Sequence, residues 1–161
     1  MKRLLSLFAF FSFAQAEEVI NDKFLDSVAM IESNFNPSAV GDKGKARGAY
    51  QLHQEAWLDG CKWLEHNDEG GAYSWMFPTM NDRWKKDAHD PVVSRVIAKA
   101  YFYLLQYRFK KRGIDPTPIQ LYMAYNLGFA GASGYGFNPN SYKLDNARVC
   151  ILKRANFILS K

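Results

Sequence analysis

A mainly α-helical domain with little strand is what this chain predicts, on three observations. Apolar residues recur at spacings of three and four in several separate stretches. Helix-starting and helix-stopping residues bracket those stretches. The one broken, Gly-rich region, residues 38–52, has room only for a turn and two brief extended pieces. At 161 residues the chain has one domain's length and enough of it to bury a core. Its 23% of charged residues is too high for a membrane bundle.

Residues 1–16 stand apart from the fold. Lys2 and Arg3 precede an apolar run from Leu4 to Phe13, and Ala14-Gln15-Ala16 has the small-x-small form of a cleavage site. That run is about half the roughly 20 residues a spanning helix needs, so an export signal is expected rather than an anchor. Residues 17–161 are then one domain, exported to the periplasm or out of the cell, with no stable membrane insertion. Loss of the leader lowers the net charge from +5 to +3. A mild basic excess suits an anionic cell wall, and no nucleic-acid motif accompanies it.

Residues 19–34 read as the first helix, with Phe24, Leu25, Val28, Ala29 and Ile31 as its apolar stripe and Asn34-Phe35-Asn36-Pro37 as its stop. A second helix is expected over residues 54–65. Residues 66–90 show no clear period, contain Gly70-Gly71, Trp75 and Trp84, and read as a long surface loop. The clearest helix follows. Asp90 caps it, Pro91 takes its first turn, and Val92, Val93, Val96, Ile97, Ala100, Tyr101, Leu104 and Leu105 form its apolar face. Lys110-Lys111-Arg112-Gly113 closes it with cations and a glycine. Thr117-Pro118-Ile119-Gln120 has capping-box spacing and starts a helix running to about Asn126, ended by Gly128. A Gly-rich aromatic loop from Phe129 to Phe137 precedes a last helix over about residues 144–159. Cys61 and Cys150 are either one disulfide or two buried free thiols, because sequence does not place their Cα atoms.

Three places carry side chains suited to chemistry. Glu32 lies two helical turns after Leu25, so a carboxylate sits beside the apolar stripe near the helix C-terminus. Burial and the negative helix end both disfavour its charged form, which suits a proton donor near neutral pH. Gly41-Asp42-Lys43-Gly44-Lys45-Ala46-Arg47-Gly48-Ala49-Tyr50-Gln51 lacks the spacing of a phosphate loop. Its glycines permit close backbone approach, and Gln51 offers both a donor and an acceptor, as an N-acetyl group requires. Ala124-Tyr125-Asn126-Leu127-Gly128 sets two polar side chains at a helix end. A core can absorb most of the twelve Phe, nine Tyr and four Trp, but a carbohydrate cleft would also use flat rings for stacking on sugars, with Trp57, Trp63, Trp75 and Trp84 as candidates; composition alone does not choose. His53, His66 and His89 match no metal spacing, so neither a metal nor a cofactor is expected.

Glu32-Ser33, then Phe35-x-Pro37-x-Ala39, Gly48-x-x-Gln51 and Ala124-Tyr125-Asn126-x-Gly128, taken in that order, resemble the soluble lytic transglycosylase catalytic domain of the lysozyme-like superfamily. The resemblance is good over residues 24–58 and 91–131 and weak over 59–90; Tyr142 and Val149 resemble the family's closing segment. Ala49-Tyr50 departs from the usual Leu-Met beside the glutamine, which implies an aromatic sugar contact at Tyr50. A lysozyme-like α+β fold is implied, with minimal strand around residues 38–52. The implied substrate is the peptidoglycan glycan strand, cut by a monomer with Glu32 as acid and base. Ser33 would orient Glu32, and Gln51, Tyr125 and Asn126 would hold the muramoyl sugar. Two alternatives stay open: a lysozyme-type hydrolase with Asp42 as second acid, or a glycan-binding module without catalysis.

Overall fold

The computed structural model describes residues 18–67, 71 and 83–161. The expected export signal, Gly70 and Trp75 lie outside the described residues. Helix α1 spans Asp22–Ser33, capped by the Asn21 side chain, which accepts from the Phe24 amide at 2.9 Å. It buries Phe24, Leu25, Val28 and Ala29, four of the five stripe residues, while Ile31 packs at the core's edge. Asn34 and Phe35 end it in the left-handed conformation, and their amides close back on Met30 and Ala29.

Three two-residue strands follow rather than the two extended pieces expected: β1 at Val40–Gly41, β2 at Ala46–Arg47 and β3 at Leu52–His53. They pair antiparallel in the order β1-β2-β3, with Gly41 opposite Ala46 and Arg47 opposite Leu52. Gly48 is indispensable to this meander. Its φ is +74°, and a Cβ there would stand 1.7 Å from the Ala88 carbonyl oxygen.

Helix α2, Gln54–Asn67, runs two residues beyond the expected end and lies along α4, Pro91–Lys110. Gly60 permits the contact, since a Cβ there would meet the Ile97 carbonyl at 2.8 Å. Asp90 caps α4 by accepting from the Val92 and Val93 amides, as its position predicts. The buried face of α4 is broader than the expected stripe: Ile97, Ala98, Phe102, Leu105 and Phe109 are fully enclosed, whereas Val92 is exposed. This helix is surrounded because α1, α2 and α5 all pack on it.

Helix α5, Pro118–Leu127, carries the full capping box between Thr117 and Gln120. Helix α7, Asn146–Leu159, covers α1 and α5 through Leu152 and Ala155. Among the described residues, two α-helices were not expected, nor was the 3-10 turn at Asp42–Gly44 between β1 and β2. The single turn α3, Trp84–Asp87, lies where a loop was read; it is held by buried Trp84, whose indole donates to the Leu52 carbonyl at 3.1 Å. The short α6, Phe129–Gly134, has a helix-poor sequence and is held by ring contacts of Phe129 with Phe109 and Phe137. The cysteines are not bridged: Cys61 is buried, Cys150 is exposed. Neither sequence alternative holds in full. Among the described residues, no helix is long and apolar enough to cross a membrane.

Candidate active site

Glu32 occupies the last turn of α1, on the side that Leu25 fixes toward the core. Its carboxylate Oε1 accepts from the Tyr122 hydroxyl at 2.8 Å. Burial pushes its pKa up from 4.5 to about 7, and the Tyr122 hydrogen bond offsets only part of that rise. No second carboxylate among the described residues contributes to the shift. The group is therefore half-protonated near neutral pH, able to give a proton and then accept one.

Tyr122 comes from α5, and its neighbours on that helix complete the wall. The Asn126 side chain, one turn on, approaches the Tyr122 hydroxyl. Tyr125 stacks on Phe102 with ring centroids 4.7 Å apart, and its hydroxyl donates to the Tyr50 carbonyl. Burial and then the nearby Glu32 charge raise the Tyr125 pKa, so its hydroxyl stays protonated. Tyr122 was not singled out in the sequence. A signal was present, because residues 122 and 126 lie four apart in a helix whose start the capping box fixes.

Two expected contacts are corrected. Ser33 does not hold Glu32. Its hydroxyl donates to the Ala49 carbonyl at 2.8 Å and accepts from the Asn36 amide at 3.0 Å, tying the end of α1 to the meander. Tyr50 does not offer its ring to a ligand, being 3% exposed. Its hydroxyl accepts from Arg95 at 3.0 Å, and Arg95 also pairs with Asp22 and Asp26. The residue that departs from the family pattern serves the core, because α4 supplies a guanidinium to receive its polar tip.

Gln51, Tyr125 and Asn126 do meet, on the lining of an open cavity of about 510 Å³ with Tyr101, Arg108 and Phe129. Gln51 has a φ of 48°, uncommon for a residue with a Cβ, and its Nε2 donates to the Gly48 carbonyl at 2.9 Å. Its Oε1 rests against Gly41, where a Cβ would come within 2.2 Å. Glu32 lies off this lining. It is joined to the cavity wall through Tyr122 and through segment 49–50, which Ser33 and Tyr125 both grip. Asp42, the alternative second acid, is exposed and contacts His53 at 3.4 Å, whose ring reaches the same cavity. Trp57 and Trp84 are buried in the core, leaving Trp63 as the described tryptophan near the surface. Among the described residues, no three His, Cys, Asp or Glu side chains gather as a metal site would need.

No curated protein and no solved structure matches this chain significantly. A family model does match, that of the transglycosylase SLT domain, over residues 9–143. That span takes in Glu32, the meander, the cavity and all of α1 to α6. The chain therefore belongs to the transglycosylase SLT domain family, whose members are lytic transglycosylases acting on peptidoglycan.

Proposed function

We propose that this protein cuts the β-1,4 bond between N-acetylmuramic acid and N-acetylglucosamine, with Glu32 as its sole acid and base, and leaves a 1,6-anhydro end. The observation that carries the reading is the Glu32 carboxyl, sheltered beside a sugar-sized cleft with a pKa near 7. In the first step protonated Glu32 gives its proton to the glycosidic oxygen, and the bond from that oxygen to C1 of the muramoyl ring breaks. Positive charge develops on that ring, and the Glu32 carboxylate just formed stabilises it. In the second step this carboxylate takes the proton from the C6 hydroxyl of the same sugar, and O6 bonds to C1. Water is not consumed, and Glu32 ends protonated as it began. Most glycosidases need a second carboxylate to activate water or attack C1. A nucleophile tethered to the substrate removes that need, since its approach is already intramolecular.

Gln51 and Asn126, both on the cleft lining, would bind the N-acetyl and hydroxyl groups of the muramoyl sugar through the amide capacity left over from their contacts with Gly48 and Tyr122. Ser33, Tyr50 and Tyr125 act one step removed, holding segment 49–51 against the end of α1. Tyr122 positions the Glu32 carboxyl. Residues 1–16 serve as the export signal that brings a monomeric domain to the wall. Replacing Glu32 by Gln tests the core of this reading. The variant should lose wall lysis while still sedimenting with insoluble peptidoglycan. Undiminished lysis would remove Glu32 from the mechanism, and a wild type that sediments but never lyses would make this a binding module.

A further inference from the structure

The cleft does not close at its Arg108 end. Arg108 Nη2 donates to Asp59 Oδ2 at 3.0 Å. These two side chains line the 510 Å³ cavity and also a second cavity of about 480 Å³ on their far side. The pair keeps 37% and 38% side-chain exposure, so it forms a low saddle between the two rather than a buried partition. One face of α2 serves both cavities, Glu55, Ala56 and Asp59 the first and Asp59, Lys62, Trp63 and His66 the second. From residue 55 to residue 66 that face runs about 17 Å at the rise of an α-helix. This is longer than one sugar ring can occupy.

The second cavity has the chemistry of a sugar site. Trp63 of α2 and Tyr107 of α4 meet with ring centroids 5.3 Å apart and planes at 48°. Tyr107 is 46% exposed. Flat rings accept the C–H face of a pyranose, and side-chain donors at their edge can take its hydroxyls. Lys62 stands in the lining as such a donor, the Asn67 amide donates to the Trp63 carbonyl at 2.7 Å, and the Lys111 ammonium lies 5.3 Å from the Tyr107 ring. Trp63 also falls in residues 59–90, where the chain resembles its family least.

We propose that the strand-binding groove continues over the Asp59–Arg108 pair onto Trp63 and Tyr107, which form a distal subsite for sugars remote from the bond being cut. The subsite rests on the reading of the first cavity as glycan-binding. It makes the enzyme prefer long strands, because a short fragment cannot reach both cavities at once.

The test compares long peptide-free glycan strands with the disaccharide N-acetylmuramoyl-N-acetylglucosamine, too short to span both cavities, for wild type, Trp63→Ala and Tyr107→Ala. Wild type should show a kcat/KM that rises with strand length. Each variant should lose about tenfold of that length preference, the worth of one stacked ring. Trp63→Phe should restore most of it. A length preference identical in wild type and both alanine variants overturns the proposal, as does a wild type without one. If Trp63→Ala lowers Tm, the exposed Tyr107 position decides. Affinities measured with the same substitutions in Glu32→Gln protein repeat the comparison without turnover. A wild type that cuts neither substrate thus contradicts the proposed reaction, while the strand affinities still judge the subsite.

Discussion

At the scale of single residues, the property that matters most is where the Glu32 proton resides. Folding raises this carboxyl's pKa from 4.5 to about 7, so the folded chain holds the proton more tightly than the unfolded chain does. Below pH 4.5 both states are protonated and the group costs nothing. Stability then falls as pH rises through the interval, and above about 7 the full cost, about 3 kcal/mol, is present. Glu32→Gln removes that cost. Its urea-unfolding free energy should match wild type near about pH 4 and exceed it by about 3 kcal/mol near about pH 8. A constant difference across that range would mean the carboxyl is not sheltered. Tyr122→Phe deletes the hydrogen bond that holds the Glu32 pKa down. The alkaline limb of its activity profile should therefore move to higher pH, with a lower kcat because the carboxyl loses its positioning partner. A limb that stays in place or moves down would remove Tyr122 from the proton-transfer machinery. The Cys61 thiol, pushed up to about 12 by burial, is inert by comparison.

At the scale of elements, two glycines of the meander make opposite predictions. Gly48→Ala drives a Cβ into the Ala88 backbone at a positive φ, and should cost at least about 2 kcal/mol of stability in thermal or urea unfolding. Gly41→Ala meets only the far end of the Gln51 side chain, which can swing away. It should fold nearly as well as wild type yet lose about tenfold in strand affinity, as one displaced hydrogen bond would give. Full affinity with Gln51 displaced would show that this side chain does not touch substrate. The helices that sequence located well, α1, α4 and α5, share strong local signals: Asn34-Phe35 at one stop, Asp90-Pro91 and Thr117 to Gln120 at two starts. Those it missed lack such signals. Helix α6 has three small residues among its first four, and forms because Phe109, Phe129 and Phe137 enclose one another beneath the Arg112 guanidinium. Helix α3 depends on where the Trp84 indole finds a carbonyl, which is a tertiary fact. The same distinction runs through the site. The motifs brought Gln51, Tyr125 and Asn126 to one cavity. The partners of Ser33 and Tyr50 come from segments 16 and 45 residues away, and no local pattern announces them.

At the scale of the whole molecule, a small meander and four packed helices bring a sheltered acid to the side of an open cleft, and the final helix covers the two that carry the acid and its positioning tyrosine. The cleft is open and lined by polar and aromatic groups, as a hydrated sugar chain requires, and the acid is set back from it beside the buried Tyr122. Under the proposed reaction, withdrawal would keep the proton until a glycosidic oxygen arrives, and the substrate's own hydroxyl would replace water as the attacking group. The exposed Asp42 beside His53 would be the source of any activated water. Mass analysis of soluble fragments released from purified peptidoglycan tests these roles most directly. The account predicts 1,6-anhydromuramoyl ends, one water lighter than reducing ends, released by wild type and not by Glu32→Gln. Fragments bearing only reducing ends would contradict it.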